Sequence, residues 1–374
     1  MQTAFVGARV FDGSSLHAAA VVVTEGNQVC EVRASVPQGA RVVRLDGGIL
    51  APGLLDLQVN GGGGLMVDAQ TTAATLAAIC LTEARLGATG VLPTLITDTP
   101  QATARVLKAG ITAVGTPGFL GLHLEGPHLD PRRKGAHDAA LIRPMTDADL
   151  ALLVKAACHL PALMVTLAPA AVRPDQIAAL ARAGVIVSLG HADCTLAEAE
   201  AAIAAGARCA THLFNAMSPL GHREPGLVGA VLSGTIAAGL IADGIHVHPA
   251  AMRLALTARP TGLFLVSDCM AVAGTEQTEF TLGGRRILRQ GGRLTLEDGT
   301  LAGADLSLPQ ALAVIVGQLG QSVQAALIMA TATPARLIGR DDLGHLRPGA
   351  QANMVHLADD MRLLAVWQGG IKRL

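Results

Sequence analysis

VIVSLGHADCTLAEAEAAIAAGARCATHLFN, residues 185–215, divides into three parts. A short aliphatic run ends in Gly190-His191, an alanine-rich segment follows, and a second short run ends in Thr211-His212. The middle segment opens with Thr195, and Glu198 stands three residues later. That spacing is a capping box, in which two side chains satisfy backbone N–H groups that the first helical turn leaves free. Strand, capped helix and strand within about 30 residues make one βαβ unit.

The same alternation extends in both directions. Eight runs are short and rich in leucine or β-branched residues: ILAPGLLDLQVN (49–60), VLPTLIT (91–97), FLGLHLEG (119–126), LMVTLAP (163–169), VIVSLGH (185–191), CATHLFN (209–215), GLIADGIH (239–246) and LFLVSD (263–268). Helical stretches lie between them, such as TTAATLAAICLTEARLG, which runs from a threonine cap at Thr71 or Thr72 to Gly87. Eight strands with intervening helices predict an α/β chain with a (β/α)8 TIM barrel. Residues 1–50 and 344–374 instead alternate like short strands joined by glycine-rich turns, and they are expected to meet in one small β-sandwich. The expected division is 1–50 and 341–374 for the two parts of the sandwich, and 51–340 for the barrel.

Polarity falls at one end of almost every run. Asp56, Gln58, Asn60, Thr97, His123, Glu125, Thr166, His191, Thr211, His212, Asp243, His246 and Asp268 all stand at or just past the C-terminal end of their strands. In a barrel those ends converge on one face, where active sites are built. Loop starts alone would favour serine and threonine over histidine and carboxylate.

Composition limits the functions open to the chain. It has 374 residues, 51% of them hydrophobic and 15% charged, with a formal net charge of -1. That balance gives no case for nucleic acid or an anionic membrane surface, so an anionic ligand must be met by local groups. The cysteines Cys30, Cys80, Cys158, Cys194, Cys209 and Cys269 include no CxxC pair. They suit a reducing compartment and are expected to be small buried apolar residues. The N-terminus MQTAFVGARVFDG lacks a basic segment followed by an apolar run, so it reads as a strand in a cytoplasmic protein rather than a secretory signal. Leu306 to Ala335 carries no charge and is long enough to span a membrane. Its prolines, glutamines and serines divide it into three helices: one after Ser307, one capped by Ser322 and one opening at Thr333-Pro334.

Catalytic metal sites hold the ion with three protein ligands and keep one position open. Glu125, His191 and His212 offer such a set at converging strand ends, and Asp268 stands across the mouth as a group to take a proton from water. The donor set suits one divalent ion per chain, zinc first, with iron or cobalt also fitting.

GLHLEGP, SLGHA, THLFNAM, GHREPG, ADGIH and LVSD, in that order, resemble the N-acetylglucosamine-6-phosphate deacetylases of the amidohydrolase superfamily. The likeness covers essentially the whole chain, and six motifs in sequence are highly specific. It implies a metal-dependent barrel enzyme, usually a homodimer, that hydrolyses the acetamide of an amino-sugar phosphate in amino-sugar catabolism and cell-wall recycling. It also implies Glu125, His191 and His212 as metal ligands and Asp268 as the acid/base. Ala136, His137, Asn215, Ala216, Arg223, His246 and Leu301, Ala302 and Gly303 are implied as sugar and phosphate contacts. Arg223 would reach the neighbouring subunit's site; the plainer reading is a solvated turn with an Arg223–Glu224 ion pair.

Three departures from the family pattern matter. Gln58 and Asn60 stand where many superfamily members carry a His-x-His pair, which leaves them as vestiges of a second metal site or as supports for the first. Ala170 replaces a common glutamate after VTLAP, and Cys269 replaces the usual alanine after the base. Rival readings are a relative acting on another N-acetylated amino-sugar phosphate, a hydantoinase-like cyclic amidase and a non-catalytic barrel. The cyclic amidases bridge two metals with a modified lysine, and no strand end here carries a lysine. Retention of the three ligands and Asp268 argues against a decayed barrel.

Overall fold

A computed structural model describes all residues 1–374. Eight parallel strands follow one another around a single sheet: β1 (Leu54–Val59), β2 (Ala88–Ile96), β3 (Leu122–Glu125), β4 (Leu163–Leu167), β5 (Ile186–Leu189), β6 (Cys209–Ala210), β7 (Ala237–Leu240) and β8 (Leu263–Leu265). Nearly every residue in them is buried, which is why the runs are continuously aliphatic rather than alternating. The seam between β8 and β1 closes just past β8. There Asp268 N–H donates to the Gln58 carbonyl at 3.0 Å and Asn60 N–H to the Cys269 carbonyl at 2.9 Å. The (β/α)8 barrel is therefore present and closed.

Helices α1 (Ala73–Arg85), α2 (Pro100–Thr112), α3 (Asp147–Ala157), α4 (Pro174–Arg182), α5 (Leu196–Ala204), α6 (Gly226–Ser233) and α7 (Pro249–Ala258) alternate with the strands. Thr72 rather than Thr71 caps α1, and Thr195 with Glu198 forms the capping box of α5. The uncharged C-terminal segment forms α8 (Leu308–Ala313), continued by a wide turn over Val314–Gln318, then α9 (Val323–Ala330) and α10 (Ala332–Leu337). Helix α10 starts ahead of Thr333-Pro334, because a proline in the first turn lacks only an N–H that has no helical partner there. No helix is long and apolar enough to cross a membrane.

Both termini build two further sheets. One has four strands, Gln28–Arg33, Val21–Glu25, Gln2–Val6 and Arg41–Arg44; the other has six and joins Met354–Leu357 and Leu363–Gln368 to Ile49–Pro52 and Arg9–Phe11. Between them Phe5, Val10, Val22, Leu50, Met354 and Trp367 share one apolar cluster. The run 49–60 is thus two strands: Ile49–Pro52 pairs with Met354–Leu357, and Leu54–Val59 enters the barrel. Gly53 makes the switch. A Cβ there would lie 2.0 Å from the Thr89 hydroxyl oxygen, so no other residue lets the chain pass so close to β2.

Two features depart from the sequence expectation. A four-stranded antiparallel sheet, Glu279–Leu282, Arg285–Gln290, Arg293–Thr295 and Leu301–Ala304, stands between β8 and α8. Among the cysteines, Cys158 is exposed and Cys30 only partly buried, while the other four are buried and none is paired. Cys158 follows the last residue of α3, where the side chain leaves the packed face.

Glu83 of α1 is buried, and the Cys269 thiol donates to it at 3.6 Å. Burial, aided by the charge of Asp56, pushes Glu83 up to about 8, and burial pushes Asp56 up to about 7. Raised carboxyl pKa values mean that the folded chain binds more protons than the unfolded one, so these groups withdraw stability as pH rises from about 4 through 8. Glu83→Gln should raise stability at pH 8 by about 1–3 kcal/mol and change little at pH 5. Chemical unfolding at the two pH values checks this, and equal effects at both would refute it.

Candidate metal centre and active-site pocket

The C-terminal ends of β3, β5 and β6 bring Glu125, His191 and His212 together. His212 Nε2 lies 2.9 Å from Glu125 Oε1 and 3.1 Å from His191 Nε2, and His191 Nε2 lies 3.3 Å from the same carboxylate oxygen. His191, His212 and Asp268 have φ of 46°, 31° and 51°, in the left-handed region that non-glycine residues rarely enter. Phe214 and Ala216 join them, so five of the six such residues lie just past β5, β6 and β8. Backbone of this kind costs about 1–3 kcal/mol per residue and persists only where its surroundings fix it.

Hydrogen bonds assign the imidazole atoms. His191 Nδ1–H donates to the Arg133 carbonyl at 2.8 Å, which leaves Nε2 with a lone pair aimed at Glu125 and His212. His212 Nδ1 is buried without a protein partner. Burial opposes the charge on Glu125, yet the two imidazoles override it and hold its carboxyl well below the usual range. Two nitrogens and one carboxylate oxygen, all within 4.8 Å of one another and beside an open cavity, fit a divalent cation with a free coordination position.

Asp268 lies on the turn after β8. Its Oδ1 accepts from Asn60 Nδ2 at 2.7 Å and from Gln58 Nε2 at 3.1 Å, and Gln58 Nε2 also donates to Glu125 Oε1 at 3.2 Å. Both amides thus present N–H groups, not lone pairs, to the carboxylates. Burial pushes Asp268 up to about 6, and the charge of Glu125 adds to the rise. His137 Nδ1 accepts from the Thr97 backbone N–H at 3.3 Å, so a neutral ring carries its proton on Nε2, which faces Glu125 across 4.0 Å. Burial, then the nearby His191, push His137 down to about 3, and the ring is neutral at physiological pH. His123, deeper in the barrel, is pushed down to about 4 by burial and is neutral too.

A cavity of about 240 Å³ opens over these groups, with Ala136, His137, Asn215, Ala216, His246, Leu301 and Gly303 on its walls. His246 Nδ1 meets Asp243 at 2.6 Å. Burial raises Asp243, but this imidazole bond outweighs it and holds the carboxyl below its usual range. Ala302 does not line the cavity. Strand alternation turns it to the other face, into an apolar cluster with Leu282, Ile287 and Leu294. Gly303 has φ 68° and passes so close to Met270 that a Cβ would lie 2.4 Å from its methyl. Ala170 and Cys269 stand outside the walls.

Arg223 also lies away from the cavity, exposed in the loop between β6 and α6. The Arg223–Glu224 pair of the plainer reading is not formed. Glu224 Oε1 instead accepts from the N–H groups of Leu196 at 2.7 Å and Gly226 at 3.0 Å. No lysine or arginine lines the cavity at all. Sequence reasoning missed the walls made by Ile96, Met270, Leu282 and Thr300, and it missed Arg285, which donates to the Ala136 carbonyl and ties the antiparallel sheet to the loop carrying His137. The alternation of EFTLGGRRILRQGGRLTL (279–296) was the available signal.

Comparisons with known proteins agree with this architecture. The amidohydrolase family pattern matches residues 49–372. The chain is 40% identical over 331 residues to an N-acetylgalactosamine-6-phosphate deacetylase of Shewanella sp. (strain ANA-3), covering 87% of this chain and 84% of that one. It is 38% identical over 345 residues to the Homo sapiens N-acetylglucosamine-6-phosphate deacetylase, covering 87% and 83%. Among solved structures, N-acetylglucosamine-6-phosphate deacetylase from Pasteurella multocida superposes with a TM-score of 0.96 at 31% identity, over 100% of this chain and 99% of that one. A mutant of the Mycobacterium smegmatis enzyme in complex with N-acetyl-D-glucosamine-6-phosphate does so with 0.92 at 30%, again over 100% and 99%. A closed barrel, a three-donor centre at its mouth and relatives of this identity across most of the chain make the protein a member of the amidohydrolase family.

Proposed function

We propose that this chain hydrolyses N-acetyl-D-glucosamine 6-phosphate to D-glucosamine 6-phosphate and acetate, serving amino-sugar catabolism and cell-wall recycling in the cytoplasm. The observation that carries the reading is the gathering of Glu125, His191, His212, Asp268 and a neutral His137 around one cavity. Relatives bearing deacetylase names across most of the chain supply the substrate class.

A divalent cation held by Glu125, His191 and His212, zinc first with iron and cobalt also suited, would supply Lewis acidity toward the acetyl carbonyl and acidify a water molecule. Asp268 takes the proton from the attacking water, and Gln58 and Asn60 hold its carboxylate for that step. His137 donates from Nε2 toward the carbonyl oxygen as negative charge gathers there. When the C–N bond breaks, Asp268 returns the proton to the leaving amine, so one carboxyl serves as base and then acid. Asn215, Ala216, His246, Leu301 and Gly303 bound the space for the sugar.

The phosphate needs a cation that the cavity of one protomer does not supply. In the proposed homodimer Arg223 enters the neighbouring site from the exposed loop, where it has no acidic partner and where Leu220 is 60% exposed. The guanidinium fork suits bidentate pairing with phosphate oxygens.

Acetate release should be faster, as kcat/KM, on the 6-phosphate of N-acetylglucosamine than on that of N-acetylgalactosamine; the reverse order would reassign the epimer. Metal analysis of the purified protein should find about one divalent ion per chain, because the amides of Gln58 and Asn60 face carboxylates rather than a second ion. Two tightly held ions, both needed for turnover, would refute this. Asp268→Asn should keep fold and metal while losing about 10²–10⁴-fold in rate. Near-normal turnover would move the acid/base role elsewhere. Arg223→Ala should lower kcat/KM on the phosphorylated substrate by about 1.5–3 kcal/mol and leave the slow turnover of unphosphorylated N-acetylglucosamine almost unchanged. Equal losses on both would make Arg223 a support of the fold.

A further inference from the structure

Beneath the metal centre, one run of side-chain hydrogen bonds joins the three strands that carry Glu125, His191 and His212. It starts at His123 on β3, whose Nδ1 donates to the Leu57 carbonyl at 3.1 Å. A carbonyl only accepts, so in the neutral ring Nε2 is the acceptor. The Thr166 hydroxyl on β4 lies 2.7 Å from that nitrogen and must donate to it. Having spent its proton, Thr166 accepts from the Thr211 hydroxyl at 2.6 Å, and Thr211 in turn accepts from Ser188 on β5 at 2.6 Å. One backbone carbonyl therefore fixes the direction of every bond in the run.

Its placement ties it to the ligands. His123 is two residues before Glu125, Thr211 directly precedes His212, and Ser188 is three residues before His191. All four members are buried, at 3% exposure or less. Three buried hydroxyls and an imidazole at neighbouring strands are a poor use of a barrel core unless direction matters, since apolar side chains would fill the same space without needing a partner. Close packing sets the spacing between strands; hydrogen bonds of 2.6–2.7 Å also set their rotation and stagger.

We infer that this hydroxyl run is the device that holds the three ligand atoms in register, with Thr166 as its central positioning residue, a role that rests on the metal-centre reading above. The Thr166 hydroxyl bonds to His123 and Thr211 and to none of the three ligand side chains, Thr166 does not line the cavity, and it joins the strand of Glu125 to those of His191 and His212. Thr166→Val keeps volume and β-branching while leaving His123 Nε2 without a donor and removing the oxygen that accepts from Thr211.

The test is the affinity of the zinc-loaded protein for its ion, measured by competition with a chromophoric chelator. Thr166→Val should weaken zinc retention by about 10–100-fold, as loss of a group supporting a ligand does, with far-ultraviolet circular dichroism unchanged. Thr166→Ser, which restores the hydroxyl, should return affinity to within about twofold of wild type. Valine and wild-type proteins of equal affinity would overturn the inference, and so would a serine variant as weak as the valine one, because packing rather than the hydroxyl would then be responsible. If the valine variant does not fold, Ser188→Ala carries the test at the far end of the run. Weaker retention is expected there, and unchanged retention overturns the proposal. A wild-type protein that holds no zinc, iron or cobalt would instead overturn the metal-centre reading itself.

Discussion

Two imidazole nitrogens and a carboxylate oxygen held within 3.3 Å of one another are the constraint to which the rest of this structure answers. No short segment could present them, because Glu125, His191 and His212 come from strands separated by long stretches of chain. The barrel brings those strand ends to one face, and each histidine then turns back over the mouth through a left-handed residue. Such backbone costs free energy that only a rigid frame can offset. The continuous burial of β1 to β8 supplies that frame.

Closure of the barrel and placement of Asp268 are one event. The segment past β8 that carries Asp268 is also the segment whose backbone pairs with Gln58 and Asn60 past the middle of β1. The side chains of those two residues hold the Asp268 carboxylate, and Gln58 reaches on to Glu125. A shift of β8 against β1 would therefore open the seam and move Asp268 away from Glu125, His191 and His212 together. The carboxylate of Asp56, which accepts from the Ser267 N–H at 3.1 Å, adds a second tie across the same seam.

Much of this was legible in the sequence because aliphatic strands that end in histidine or carboxylate break their own pattern where chemistry is needed. Glu125, His191, His212 and Asp268 all announce themselves in that way. Gly53 does not: its role depends on how near Thr89 comes, so ILAPGLLDLQVN reads as one strand although it serves two sheets. The sheet over 279–304 was hidden for a different reason, since a repeated βα pattern leads one to expect a helix after the eighth strand. Ala302 shows the limit of carrying a motif over by position, because alternation sends it away from the cavity that its two neighbours line. The left-handed φ of His191 and His212 had no sequence signal, for neither residue is a glycine or asparagine.

The charge around the mouth is one-sided. Glu125 and Asp268 are buried beside one another, Asp56 and Glu83 are buried just behind, and no lysine or arginine lines the cavity they share. Surface salt bridges elsewhere leave this group untouched, as the arginines that pair with Asp130, Asp149 or Asp342 all lie outside it. Four carboxyls in a low-dielectric interior without a lysine or arginine cannot all be ionised: burial raises Asp56, Glu83 and Asp268, and the neighbouring carboxylates add to the rise. A divalent ion at Glu125 would remove much of the charge that Asp268 faces and so favour its ionised, proton-accepting form. The same one-sidedness explains why the proposed phosphate clamp lies on a loop outside the pocket. An arginine within the cavity would pair with Asp268 or Glu125, neutralising the proposed base or competing for a proposed metal ligand, whereas the proposed clamp Arg223, on its exposed loop, would reach an anion without meeting either.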